Sequence, residues 1–264
     1  LPRIENLGLP PILKELVMRS RGLIVVAGAT GSGKSTTLAA MIDHRNEQAS
    51  GHILTIEDPV EFLHRHKRSL INQREVGFDT HSYHTALRNA MREAPDVIMI
   101  GEILDKETME AAISFSETGH LCLTTLHANN ADQTLDRILS FFPESTKHTT
   151  LMNLSMNLQA IVSQRLCVGV DSRRVPAVEL LINTPLTRDI IRGGRLNELK
   201  EAMERSLENG MQSFDQALYR LYQERRISRE EALAHADSRE GLALRMRLSE
   251  GASTLNDAEQ EAMY

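Results

Sequence analysis

The sequence predicts an α/β protein, with a mostly parallel sheet covered on both faces and a helical C-terminal region behind it. Three observations predict it. Short apolar runs alternate with helical patterns up to Ile182, the arrangement that builds parallel strand–helix–strand units. The first of those runs ends in a glycine-rich turn that opens a helix. After Asn183-Thr184-Pro185 no strand-like run occurs, and short helical patterns follow one another.

In order, residues 1–20 read as a Pro-containing lead-in with a short amphipathic helix around Pro11–Arg19. Gly22–Gly28 is a continuous apolar run, which suits a strand buried on both faces. A helix is expected from Lys34 to about Gln48, with Leu38, Met41 and Ile42 on its apolar side. Further strands are expected at His52–Ile56, Val97–Ile100, Leu121–Leu126 and Val178–Ile182. Helices are expected at Tyr83–Glu93, Lys106–Glu117, Asp132–Phe141 and Leu151–Leu166. Beyond a soft boundary near residue 184, short helices are punctuated by Gly193-Gly194, Gly210 and Ser228. Ser228-Arg229-Glu230-Glu231 is a capping box. The acidic, polar stretch 251–264 reads as a flexible tail.

Composition narrows the function classes. The 264 residues are 41% hydrophobic and 25% charged, enough apolar content for a real core and too little one-signed charge for a disordered chain. The net charge of −6 argues against a nucleic-acid binder that works through a basic face, and the 4% aromatics with no Trp argue against base stacking. No apolar stretch approaches the roughly 18 residues that span a bilayer. The start lacks a basic region followed by an apolar one, so no signal peptide is expected. The two cysteines, Cys122 and Cys167, are far apart, which excludes a disulfide scaffold and a zinc ribbon and makes a reduced, cytoplasmic setting the default.

Four segments carry chemistry. Gly28-Ala29-Thr30-Gly31-Ser32-Gly33-Lys34-Ser35 is a full P-loop, placed between an expected strand and an expected helix. There the backbone N–H groups of the turn, from Thr30 through Gly31, Ser32 and Gly33 to Lys34, Ser35 and Thr36, face phosphate oxygens. Lys34 would supply charge to the β- and γ-phosphates, and the Ser35 hydroxyl would be a Mg²⁺ ligand. The second segment, Val97–Ile100 followed by Gly101-Glu102, is a buried strand ending in a carboxylate that would reach the Mg²⁺ shell or the attacking water. The third, Ile56-Glu57-Asp58-Pro59-Val60-Glu61, clusters three acids beyond a strand; Pro59 forces a turn that could aim Glu61 back at the phosphates, and a solvated acidic loop is the plain alternative. The fourth, Gly119–His127, puts a histidine at each end of a strand, where one could sense a γ-phosphate or both could be structural. The basic run His64–Arg68 reads as a solvated loop or a subunit contact.

In this order and spacing, the four motifs resemble those of the secretion-superfamily ATPases, and within them the PilT/PilU retraction ATPases of type IV pili, particularly the PilU-type branch. Ala94-Pro95-Asp96, Ser213–Leu218 and Ala236–Arg239 carry the PilU-type likeness. The resemblance implies a RecA-like core over 22–183, a helical C-terminal region over 184–250 and, over 1–21, a linker from a PAS-like N-terminal domain that precedes the core in that family. It implies ATP and Mg²⁺ as cofactors, with Ser35 and Glu102 at the metal. Glu61 and Glu102 take the catalytic-carboxylate roles, Glu102 as general base or water-positioner, and His127 the γ-phosphate contact. It also implies a homo-hexamer of the full-length protein, a PilT-like ATPase and an inner-membrane platform protein as partners, and a place on the cytoplasmic side at the pilus base. Two positions depart from the family pattern: Leu104 stands where an Arg is usual, and Thr187–Arg192 only partly matches its A-I-R-N-L-I-R-E segment. Extension and type II enzymes usually carry a tetracysteine zinc module, which two cysteines cannot build, so the resemblance to that branch is weaker. A nucleotide-binding scaffold with little hydrolysis of its own is the reading from a different class.

Overall fold

The computed structural model describes residues 1–206 and 210–249; the expected tail over 251–264 lies outside them. Among the described residues, seven strands form one sheet: β1 (Gly22–Ala27), β2 (Gly51–Glu57), β3 (Ser69–Glu75), β4 (Val97–Ile100), β5 (Leu121–Leu126), β6 (Leu158–Val168) and β7 (Arg174–Ile182). Their order across the sheet is β3-β2-β4-β5-β1-β6-β7. All pairings are parallel except β6–β7.

The helices are α1 (Leu13–Val17), α2 (Lys34–Gln48), α3 (Tyr83–Ala90), α4 (Lys106–Glu117), α5 (Ala131–Ser140), α6 (Glu144–Asn157), α7 (Pro185–Arg192), α8 (Leu199–Arg205), α9 (Phe214–Gln223) and α10 (Arg229–Ala234), with a last helical stretch over 239–249.

β1 has all six residues buried because β5 and β6 flank it and helices cover it. Every Leu or Ile buried there stabilises the fold by about 1.5–3 kcal/mol. Local signals fix the helix starts. Ser82, Asp105, Asn130, Thr184, Ser213 and Ser228 each cap the following helix by accepting from the backbone N–H three residues on. Of the capping box expected at Ser228, the bond from the Glu231 N–H to Ser228 Oγ forms at 3.1 Å, while the Glu231 carboxylate accepts from the Val168 N–H instead.

Three elements differ from the sequence reading. The helix expected over Leu151–Leu166 is α6, which ends at Asn157, followed at once by β6. Leu151, Leu154, Leu158, Ile161 and Arg165 keep helical spacing across a junction that no Gly or Pro marks, and periodicity does not separate a buried strand from a helix there. β3 was not expected because its residues are mostly polar; it is an edge strand with Leu70 turned to solvent and Ile71 inward. β7 begins at Arg174 rather than Val178, since pairing with β6 extends it.

The segment 1–21, expected as a linker, buries Ile4, Leu9, Leu13, Leu16 and Val17 in the main core. α7 and α8 join that same core through Ile190, Ile191, Leu199 and Met203. A second apolar cluster joins Phe214, Leu218 and Leu221 of α9 to Cys167, Val175 and Ala177 of β6 and β7.

Candidate functional site

The carboxyl ends of β1, β2, β4 and β5 open into one cleft of about 460 Å³. α2 enters it at Gly33, whose φ of 91° lies in the left-handed region that a side chain resists. Gly28 is needed for a different reason: a Cβ there would fall 2.3 Å from Ser32 Oγ and 2.7 Å from the Gln164 carbonyl of β6. No side chain caps α2 and its first turn holds no acid, so its N–H groups and positive dipole end face the cleft.

Of the expected P-loop contacts, Thr30, Gly31, Gly33, Lys34, Ser35 and Thr36 line the cleft. Ser32 is buried, its side chain against Gly28, so its main chain rather than its hydroxyl is what the turn offers. Lys34 Nζ donates to the carbonyls of Gly28 and Ala29, both at 3.0 Å. Burial pushes the Lys34 ammonium pKa down, and the carboxylates of Glu102 and Glu61 pull it back up.

The turn at Pro59 returns Glu61 to the cleft, where its Oε1 accepts from Ser35 Oγ at 2.9 Å. Glu102 follows β4, and its Oε1 lies 2.6 Å from His127 Nε2 at the end of β5. Backbone and hydroxyl bonds lock these two strand tips together. Thr125 Oγ1 donates to the Gly101 carbonyl at 2.6 Å, and the Ile103 N–H donates to the Thr125 carbonyl at 3.0 Å. Gly101 sits too close to the Ile56 carbonyl and the Tyr83 hydroxyl, both 3.2 Å from an added Cβ, to carry a larger residue at ease. A hydroxyl and two carboxylates around one lysine make a hard-oxygen donor set, which fits a Mg²⁺–phosphate ligand.

Not all the motif residues meet there. His120 is at the other end of β5, with Nδ1 at 3.0 Å from Thr118 Oγ1 and its ring edge-on to Phe115. Glu57 lines the cleft but turns inward, its Oε1 accepting from Thr55 Oγ1 at 2.7 Å and Gln73 Nε2 at 3.2 Å. Burial raises its pKa against those two bonds. Tyr83, Phe62, His64, Met99 and Leu166 also line the cleft. None was singled out from sequence for this role; Phe62 and His64 lie on the connection into β3 and Leu166 near the end of β6, and neither strand was foreseen. His64 comes from the basic run otherwise read as solvated, and burial pushes its pKa down. Lys67 of that run pairs instead with Asp43 and Glu47.

Among the described residues, one group of possible metal ligands lies elsewhere: Cys167, Glu231 and His235. Glu231 Oε1 there already accepts from the Val168 N–H at 2.6 Å and pairs with His235 Nε2 at 3.1 Å, which accounts for the grouping by hydrogen bonding alone.

Residues 8–232 match the family described as "Type II/IV secretion system protein". The chain belongs to that family. It is 55% identical over 249 residues to the type IV pilus ATPase PilU of Pseudomonas aeruginosa, covering 94% of this chain and 65% of that one. It is 44% identical to the retraction ATPase PilT of the same organism, covering 87% of this chain and 67% of that one. The chain thus spans about two thirds of the length of these relatives. The solved structure of the pilus retraction motor PilT with bound ADP superposes with a TM-score of 0.85 at 46% identity, over 90% of this chain and 68% of that one. The Legionella pneumophila ATPase DotB superposes at 0.79 with 29% identity, over 88% and 64%. The fold is that of the family's α/β ATPase core, with a helical C-terminal region.

Proposed function

We propose that this chain is the motor portion of a PilU-like retraction ATPase of type IV pili, a Mg²⁺-dependent enzyme that hydrolyses ATP as an accessory hexameric motor. Its partners would be a PilT-like ATPase and an inner-membrane platform protein, at the cytoplasmic side of the pilus base. Its 55% identity to PilU supports the assignment to that branch. The observation that carries the chemistry is the Glu102–His127 pair at 2.6 Å, on the same cleft as Lys34.

In this reading the main-chain N–H groups of Thr30–Thr36 hold the phosphate tail, and Lys34 leaves its carbonyl partners to meet the β- and γ-phosphates. Ser35, with Glu61 beside it, would hold Mg²⁺, which would neutralise charge on the phosphate oxygens, and Glu102 would face the ion's water shell. Glu102 orients a water toward the γ-phosphorus and takes its proton as the bond to the leaving ADP oxygen breaks. His127 holds the Glu102 carboxylate in place and donates to a γ-phosphate oxygen. Loss of that oxygen on product release would free the β5 tip, which is how cleavage becomes movement in a ring.

The test is an ATPase assay paired with nucleotide titration on the full-length protein. Glu102→Gln is expected to bind ATP within about threefold of wild type and to lose turnover by about 10²- to 10⁴-fold, the usual contribution of a general base. Wild-type turnover in that variant overturns the reading.

A further inference from the structure

The loop that carries His127 is gripped from below by two residues that no motif includes. β5 ends at Leu126 and α5 begins at Ala131, so the loop is short. Arg165 of β6 donates through Nη2 to the Asn129 carbonyl at 3.3 Å. Glu179 of β7 accepts through Oε1 from the Ala131 N–H at 2.7 Å and from Ser163 Oγ at 3.2 Å. Glu179 is 2% exposed, and Ser163 is its register partner across the antiparallel pair. The two grips therefore come from adjacent strands and fix the loop at two points just past the histidine.

Arg165 also reaches the other way. Its Nη1 donates to the His235 carbonyl at 2.6 Å, its Nη2 to Asp237 Oδ1 at 2.7 Å, and its guanidinium lies 3.7 Å over the Phe214 ring of α9. The N–H groups of Asp237 and Ser238 donate to Asp215 of α9 at 2.8 and 3.0 Å, and Lys200 of α8 lies within 3.8 Å of both Asp215 and Asp237. One guanidinium fork thus spans the histidine loop and the junction of α8, α9 and α10. Its neighbour Gln164 backs the P-loop at Gly28.

We propose that Arg165 and Glu179 are positioning residues for His127, and that Arg165 links the C-terminal helices to the catalytic cleft. This rests on the Proposed function for its catalytic consequence, not for its structural one. A planar fork makes these bonds at once in fixed directions, which a lysine cannot reproduce. Displacement of α9 and α10 pulls on Arg165, and Arg165 pulls on the loop that aims His127 at Glu102. The C-terminal region then tunes turnover without touching nucleotide.

The experiment compares wild type, Arg165→Gln, Arg165→Lys, Glu179→Gln and Glu179→Leu in the full-length protein. It reads ATP affinity, kcat and KM, and the ring ¹H–¹³C cross-peaks of His127 and His120 by NMR. Arg165→Gln is expected to leave ATP affinity and KM within twofold, to lower kcat at least tenfold, and to move the His127 peak while the His120 peak stays. Arg165→Lys should behave like Arg165→Gln despite keeping the charge. Glu179→Gln keeps an acceptor for the Ala131 N–H and should hold the peak near its wild-type position, where Glu179→Leu should not. If Glu179→Leu fails to fold, the partly exposed Arg165 variants decide. An unmoved His127 peak in Arg165→Gln, or a kcat within twofold of wild type, overturns the proposal. If the wild-type protein shows no turnover, the Proposed function fails, and the cross-peaks alone decide whether the two residues position His127.

Discussion

His120 and His127 stand at opposite ends of one strand. At its amino end the His120 side chain meets Thr118 and Phe115, partners from its own chain neighbourhood. At the carboxyl end His127 meets Glu102 from the next strand and shares a cleft with Lys34, Ser35 and Glu61 from two other segments. The residue type is the same and the strand is the same, so the difference comes from topology. In a parallel sheet every strand-to-helix loop exits at one edge, and side chains remote in sequence gather there. The side-chain partners of His120 at the amino edge are instead its own chain neighbours.

The largest predicted break in this comparison is at the carboxyl edge. Lys34→Ala should remove both ATP binding and hydrolysis, seen as loss of heat in titration and of phosphate release, because no other cation lies among the phosphate-facing residues of the P-loop. Next in size, His127→Ala should lower turnover by about 10- to 100-fold, the range for losing one charge-assisted hydrogen bond of ~1.5–3 kcal/mol. His120→Ala should keep turnover within about twofold in the same steady-state assay and lower stability by about 1 kcal/mol for its lost side-chain bonds. Equal losses in the two variants would erase the distinction between the two edges.

A smaller effect separates the buried floor of the site from its open mouth. Glu179 is buried and its pKa is pushed up from 4.5 to about 7, mainly by desolvation, with Asp237 and Asp132 adding to the rise and the Ala131 N–H and Ser163 opposing it. An acid whose folded pKa exceeds its unfolded one binds more protons when folded, so its stabilising share is full below about pH 4.5 and is lost as pH rises through about 7. The change is on the order of 3 kcal/mol at most. Asp132, raised to about 6 by burial first and Asp136 second, acts in the same direction. Thermal melts at pH 5 and pH 8 should therefore show a larger fall in Tm for wild type than for Glu179→Gln. Equal falls would mean that this carboxyl does not titrate between them.

β1, β2, β4 and β5 were legible in the sequence because they are apolar runs between Gly and polar turns, and because the P-loop marks the junction of one strand and one helix. Lys34, Ser35, Glu61, Glu102 and His127 were legible for a second reason: each lies just past such a strand, at the edge where ligands bind. β3 and β6 were not, and β7 was read only from Val178 onward. Leu158–Val168 continues the spacing of the helix before it, and only pairing with β1 and β7 makes it a strand. Ser69–Glu75 is polar because it is an edge, so no apolar run betrays it. Arg165 was invisible for the same cause, and Glu179, although in the expected strand Val178–Ile182, gains its role only through a pairing with β6 that local pattern does not encode. Pairing with β6 also reveals that Glu179 lies in the interior, where its charge alone would have placed it at the surface.

The central claim is that main-chain N–H groups at the β1–α2 junction grip a triphosphate while the carboxylate beyond β4 faces its terminal phosphorus. A crystal structure of the full-length protein with Mg²⁺ and a non-hydrolysable ATP analogue tests it most directly. The account predicts the β- and γ-phosphates inside the Thr30–Thr36 turn, Lys34 swung onto them, and Glu102 across a water from the γ-phosphorus with His127 still paired to it. Phosphates bound away from that turn, or a Glu102 carboxylate turned out of the cleft with analogue in place, would contradict it.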